Sequence, residues 1–151
     1  MAAPTPPFLA VPRDGGERLV FSGTTIVIRA SAESTAGAFT VFEETPPMLD
    51  TPAHVHRDED EALFVLEGEH VFVCGGEEQL LGPGGMVFFP RGVPHSHRRV
   101  VPGVGRLLGM TSPAGFEGFF RMLAEAARTG KPLDEAYARA SAEYGLTWVG
   151  R

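Results

Sequence analysis

The sequence predicts a mostly β domain, a sandwich or a closed barrel, followed by a helical tail of about two helices. Three observations predict it. Short runs rich in β-branched and aromatic residues recur between clusters of Gly, Ser and Pro. Glycine (19) and proline (13) are abundant, as a turn-rich β architecture requires. Beyond residue 112 the apolar spacing changes from the strand period of two to the helical period.

The elements follow in order. Residues 1–16 are Pro-rich and read as a flexible arm. Strands are predicted at 19–21, 24–29, 38–43, 61–67, 70–74, 79–81, 86–89, 96–101 and 106–110. Thr51-Pro52 begins a further extended segment, because the residue before proline is pushed out of the helical region. Turns are expected at 68–69 and 75–77. In the tail, Phe116, Phe119, Phe120, Leu123, Ala124 and Ala127 make one apolar stripe at helical spacing. Ser112-Pro113 provides its start and Gly130 its stop. Glu117, Arg121 and Glu125 are placed on the exposed face. A second helix is predicted at 132–144, with Leu133, Ala136, Tyr137 and Ala140 inward and Gly145 ending it. Residues 146–149 return as a short strand. The division is therefore an arm at 1–16, a β unit at 17–112 and a helical extension at 113–151 packed on it. With 151 residues and no internal repeat, one such β unit is expected.

Charge and composition narrow the function. A net charge of −6 argues against nucleic acid as a main partner, since phosphate binding needs basic excess. No apolar stretch approaches the roughly 18 residues needed to cross a bilayer. The N-terminus lacks the pattern of a signal peptide, and Cys74, the only cysteine, allows no internal disulfide. A cytoplasmic protein is the expectation. Residues 63–66 are apolar at every position, so both faces of that strand are expected to be covered, one of them by a second subunit in a homodimer.

The histidines carry the chemistry. All five fall between His54 and His97. His54 and His56 are two apart, so on a strand they project together. Glu61 opens the next strand, where it shares a face with Leu63 and Val65. His95 follows Pro90-Arg91-Gly92-Val93-Pro94, a turn that can aim it across at the first cluster. Three imidazoles and one carboxylate can hold one divalent transition metal per chain: Fe, Mn, Ni, Co or Zn. Asp58, Glu59 and Asp60 read as a solvated acidic loop, with Glu59 or Asp60 as substitute oxygen ligands. His97 shares the face of His95 and is either a substrate contact or a hydrogen-bonded wall residue. Leu63, Val65, Phe89 and Met110, with Val87 or Phe88, are expected to wall the pocket. His70 is expected at the surface or between strands.

These spacings resemble the two motifs of the cupin family. His54-Val55-His56, four residues, Glu61, six residues and Gly68 match the first. Gly84, five residues, Pro90-Arg91-Gly92, two residues and His95 match the second, with fifteen residues between the motifs. Met48 stands where the first motif begins with Gly, and Arg99 where the second ends in Asn. Neither position is a metal ligand in the family. The resemblance implies a double-stranded β-helix (jelly-roll) barrel. It also implies chemistry similar to small quercetin 2,3-dioxygenase-like cupins, with Glu61 as ligand and catalytic base. Three functions compete: a metal-dependent dioxygenase acting on a small aromatic or flavonol-like chelating substrate, a non-redox isomerase or lyase acting on a small carbonyl compound, and a non-catalytic small-molecule-binding cupin.

Overall fold

Short strands between turns build most of residues 17–112, two helices follow, and the computed structural model describes residues 5–48 and 50–150. Residues 5–16 form neither helix nor strand, and residues 1–4 of the arm lie outside the described residues. The elements in chain order are β1 (Glu17–Phe21), β2 (Thr24–Ala30), α1 (Ala32–Thr35), β3 (Thr40–Thr45), β4 (Asp50–His56), β5 (Asp60–Glu67) and β6 (His70–Cys74). They continue with β7 (Glu77–Leu81), β8 (Met86–Phe89), β9 (His95–Arg99), β10 (Arg106–Ser112), α2 (Glu117–Thr129), α3 (Leu133–Tyr144) and β11 (Leu146–Gly150). All strand pairs are antiparallel. They form a six-stranded sheet, β1-β2-β3-β10-β5-β8, and a five-stranded sheet, β11-β4-β9-β6-β7.

The inner faces of the two sheets make the core. Ile26 and Ile28 alternate inward along β2, as do Leu63 and Val65 along β5. They pack with Phe42, Phe89 and Leu107, and Phe72 meets them from the opposite sheet. Gly109 on β10 makes this layer possible. A Cβ at that position would lie 2.2 Å from Phe42 Cζ, so only glycine lets the ring lie flat against the strand. The outer face of the six-stranded sheet is different. Phe64 is 39%, Met86 47%, Phe88 57% and Met110 37% exposed. These four side chains come from adjacent strands and form an apolar patch. The expectation that both faces of 63–66 are covered is thus not met within one chain. Met110 also leaves the predicted pocket wall: on β10 the inward positions are Leu107, Gly109 and Thr111, and strand alternation turns Met110 outward.

The tail follows the helical pattern with three corrections. α2 and α3 end at Gly130 and Gly145, both left-handed, as the sequence indicates. However, α2 starts at Glu117 with Phe116 as its cap, four residues past Ser112-Pro113. Glu117 is not on an exposed face. Its carboxylate is buried and accepts the Ala32 N–H at 2.6 Å, the Gly115 N–H at 2.9 Å and the Thr40 hydroxyl. It stitches the start of α2 to α1 and β3. Arg121 therefore turns away from Glu117 and pairs with Glu17 (2.8 Å) and Glu33 (3.1 Å). Ala126, rather than Ala127, completes the buried stripe. α1, only four residues long, was not foreseen; a reciprocal cap between Ser31 and Ser34 starts it. No described helix is long and apolar enough to cross a membrane.

Replacing Gly109 with Ala is expected to cost about 1–3 kcal/mol, the usual penalty for forcing extra volume into a packed layer. A denaturant melt of the two proteins checks this, and an unchanged midpoint would show that Phe42 moves aside freely.

Candidate metal centre

A bulge in β4 sets the site. Thr51 pairs with His97 and His54 with His95, so β4 carries one more residue than β9 across this stretch. The extra residue shifts the alternation at Pro52-Ala53. Thr51, His54 and His56 all end up buried, which strict period-two spacing would forbid. His95, the first residue of β9, stands directly opposite His54. Glu61 lies near the start of β5 in the other sheet, so the four side chains bridge the two sheets. One donor atom from each of His54, His56, Glu61 and His95 lies within 4.8 Å of all the others. Four donors each about 2.0–2.2 Å from one ion would lie at most about 4.4 Å apart. A contraction of a few tenths of an ångström therefore suffices for these residues to hold a single divalent ion.

The backbone and a second carboxylate orient the rings. His54 Nδ1–H donates to the Pro52 carbonyl at 2.8 Å, and His95 Nδ1–H donates to the Val93 carbonyl at 3.1 Å. His56 Nδ1–H donates to Glu59 Oε1 at 2.9 Å. All three rings thereby turn Nε2 toward the site. His56 Nε2 lies 3.3 Å and His95 Nε2 3.1 Å from Glu61 Oε2. Glu59 is the residue that sequence reasoning misplaced. It is buried (6% exposed) and acts on His56 as an orienting group, not as a solvated loop residue or a substitute ligand. The signal that could have found it is its spacing three residues after His56. Asp60, the other candidate oxygen, instead accepts from the Arg91 backbone N–H at 2.9 Å and pairs with its guanidinium at 3.2 Å.

Electrostatics divide the imidazoles. Burial, reinforced by nearby His95, pushes the His54 pKa down to about 3, so it is a neutral lone-pair donor. Burial also opposes a charge on His56, but the hydrogen bonds to Glu59 and Glu61 outweigh it and raise its pKa to about 9. Without a metal, His56 therefore carries a proton where a cation would sit. Burial would raise Glu61, yet hydrogen bonds from His56 and His95 hold it well below the usual carboxylate range.

The remaining predicted residues take varied places. His97 is buried, with Nε2 3.4 Å from the Thr51 hydroxyl and Nδ1 unpartnered. Burial lowers its pKa to about 4. Phe89 stacks on His95, with ring centroids 4.2 Å apart. Leu63 and Val65 lie in the core beneath the site and not on the cavity surface. Val87, not Phe88, is the inward residue of β8 at that level. His70, expected at the surface or between strands, lies on β6 between β7 and β9 and is fully buried, donating Nε2–H to the Glu67 carbonyl at 3.0 Å.

The cavity beside the ligands is walled largely by groups the sequence did not assign to it: Phe42, Glu44, Met48, Phe116, Phe119, Phe120, Tyr137 and Trp148. Phe116 meets His56 edge-on at 4.5 Å, and Trp148, on the returning strand β11, packs against His54 at 5.3 Å. The tail's Phe stripe thus serves as core and as cavity wall together. The cavity is narrow, and centres of water-sized molecules range over only about 70 Å³ of it.

A cupin-domain family model matches residues 41–108, from β3 into β10. The quercetin 2,3-dioxygenase of Bacillus subtilis (strain 168) is 34% identical over 84 residues, 55% of this chain and 25% of that protein. The match thus spans a quarter of that relative's length. Two solved structures share the fold. An RmlC-like cupin from Shewanella frigidimarina NCIMB 400 superposes with a TM-score of 0.58 at 20% identity, over 70% of this chain and 90% of that one. The polyketide cyclase RemF from Streptomyces resistomycificus gives 0.57 at 25% identity, over 69% and 78%.

Two outcomes are expected. His56→Ala should lose most bound metal, and Glu59→Gln should weaken metal affinity about 10–100-fold while keeping all four ligands. Titration calorimetry with zinc measures both, and equal affinities for Glu59→Gln and wild type would dismiss the orienting role. Metal uptake near neutral pH should also release about one proton, and affinity should climb as pH rises toward 9, the His56 midpoint. A flat pH dependence over that range would contradict a protonated His56 in the metal-free protein.

Proposed function

We propose that this chain, which a cupin-domain model matches over residues 41–108, is a small cupin and a metal-dependent dioxygenase acting on a small aromatic compound that chelates the metal. The observation that carries this reading is the convergence of His54, His56, Glu61 and His95 beside a cavity walled by aromatic rings. Three nitrogens and one carboxylate leave coordination positions open on a six-coordinate ion. When bound, a redox-active ion would supply dioxygen chemistry and Lewis acidity. The chain's own residues do the rest. His54, His56 and His95 would present Nε2 to the ion, Glu59 fixes the His56 ring, and Phe116 and Trp148 exclude water from the ligand side. The narrow cavity supports a one-ring substrate over a flavonol, which would have to displace side chains.

A second reading, a non-redox isomerase or lyase, is favoured by one observation: the buried carboxylate of Glu44 in the same cavity. Such an enzyme would move a proton on a small carbonyl compound, with the metal as Lewis acid.

We further propose that the protein is a cytoplasmic homodimer. The outer patch of Phe64, Met86, Phe88 and Met110 supports the dimer, because exposed apolar clusters of this kind mark association surfaces.

Oxygen consumption tests the leading reading. Protein loaded separately with Fe, Mn, Ni, Co and Zn should consume oxygen with at least one catechol or flavonol, and only with a redox-active ion. Turnover of a carbonyl substrate with zinc, without oxygen, would establish the second reading instead. Metal-dependent binding with no turnover would leave a binding module. For assembly, Phe88→Glu should convert a dimer into a monomer in sedimentation velocity, and a wild-type monomer would remove the dimer altogether.

A further inference from the structure

Glu44 has no role in holding the metal, yet it stands in the same cavity. It lies on the inner face of β3, 7% exposed, and lines the space shared by His54, His56, Glu61 and His97. It is not among the four side chains that converge on the metal position. Its neighbour Glu43 points the other way and takes both nearby guanidiniums, Arg29 and Arg106, each at 2.8 Å. Among the described residues, Glu44 receives one hydrogen bond, from the Met48 backbone N–H to Oε1 at 3.0 Å. That leaves Oε2 without a protein donor. A buried carboxylate normally has a cation or several N–H groups to hold its charge. Glu117 in this same chain shows the satisfied case, with three donors.

The two buried carboxylates of the cavity therefore differ in kind. Glu61 is one of the four side chains that converge on the metal position, so its donor oxygen is committed there, whereas Glu44 is not. Burial lifts Glu44 to about 7, and the charge of Glu61 adds to the rise, while the Met48 N–H and the charge of Arg99 oppose it. A group with its midpoint near working pH is the efficient one for proton transfer.

We propose that Glu44, and not Glu61, is the proton-transfer residue of this cavity, taking the hydroxyl proton of a catechol-like substrate as that oxygen turns to the metal. The proposal rests on the chelating-substrate reading above. The step balances simply. The substrate O–H bond breaks, an O–H bond forms on Glu44 Oε2, the substrate keeps the electron pair as a phenolate oxygen, and nothing is oxidised. In a non-redox enzyme the same residue would later return the proton.

Zinc-loaded full-length protein tests this without turnover. Catechol is titrated in by calorimetry near pH 8, in two buffers of different ionisation enthalpy, which counts the protons released. Wild type should release up to one proton fewer per catechol bound than Glu44→Gln, because the catecholate oxygen beside Oε2 accepts a hydrogen bond from the protonated carboxyl and lifts its midpoint above the pH of the titration. Glu44→Gln keeps the acceptor for Met48, and its zinc content and unfolding midpoint are measured alongside. Glu44→Asp, which restores a carboxylate, should regain at least part of the proton retention. Equal proton release from wild type and Glu44→Gln overturns the role of Glu44 while leaving the chelating reading intact. Failure of catechol to bind zinc-loaded wild type overturns the chelating reading, and the role of Glu44 with it.

Discussion

Each of the three clustered imidazoles donates its Nδ1–H away from the site, to Pro52 O, Glu59 or Val93 O. That constraint decides most of what the structure can do. A neutral imidazole has one donor and one acceptor nitrogen, so fixing the donor fixes the lone pair. The three Nε2 atoms are thereby presented to one point, where Glu61 arrives from the opposite sheet. Two of the three acceptors are backbone carbonyls two residues before the ring they hold. The local chain path, more than side-chain choice, thus aims the ligands.

Much of the surrounding fold serves that path. The bulge at Pro52-Ala53 turns both Thr51 and His54 inward, and without it the alternation would place one of them outside. β11 closes against β4 at the level of His54 and His56, bringing Trp148 over the first ring. α2 brings Phe116 against the second. The C-terminal elements are consequently part of the site and not an appendage to it. Glu117 secures them, since its carboxylate joins α2 to α1 and β3 in the interior. Among the described residues, one ring nitrogen of His70 and one of His97 is buried without a protein partner.

The sequence was most legible where a residue's role depends on near neighbours. The spacing of His54, His56, Glu61 and His95 identified four side chains that the structure brings together, because each sits on a short strand or turn whose direction a few residues determine. The helix stops at Gly130 and Gly145 were legible for the same reason. What could not be read depends on long-range placement. Glu59 looked like one more charge in an acidic run until His56 was seen beside it. Glu117 appeared to belong to an exposed face because its three donors come from segments that the helical period cannot reveal. Met110 was assigned to the cavity from its position in an apolar run, whereas the register of β10 turns Gly109 and Thr111 inward instead. Glu44 was not singled out, as nothing in a run of two glutamates says which one faces the interior.

On the proposed reading, one ion would join the two sheets through three nitrogens and one carboxylate. X-ray absorption at the metal edge, on protein purified and then loaded with a single metal, tests it most directly. The expected spectrum has a shell of nitrogen and oxygen donors at about 2.0–2.2 Å, with the outer-shell signature of about three imidazoles and no sulfur. A spectrum showing a sulfur donor at about 2.3 Å, or that of a fully hydrated ion with no imidazole, would contradict it.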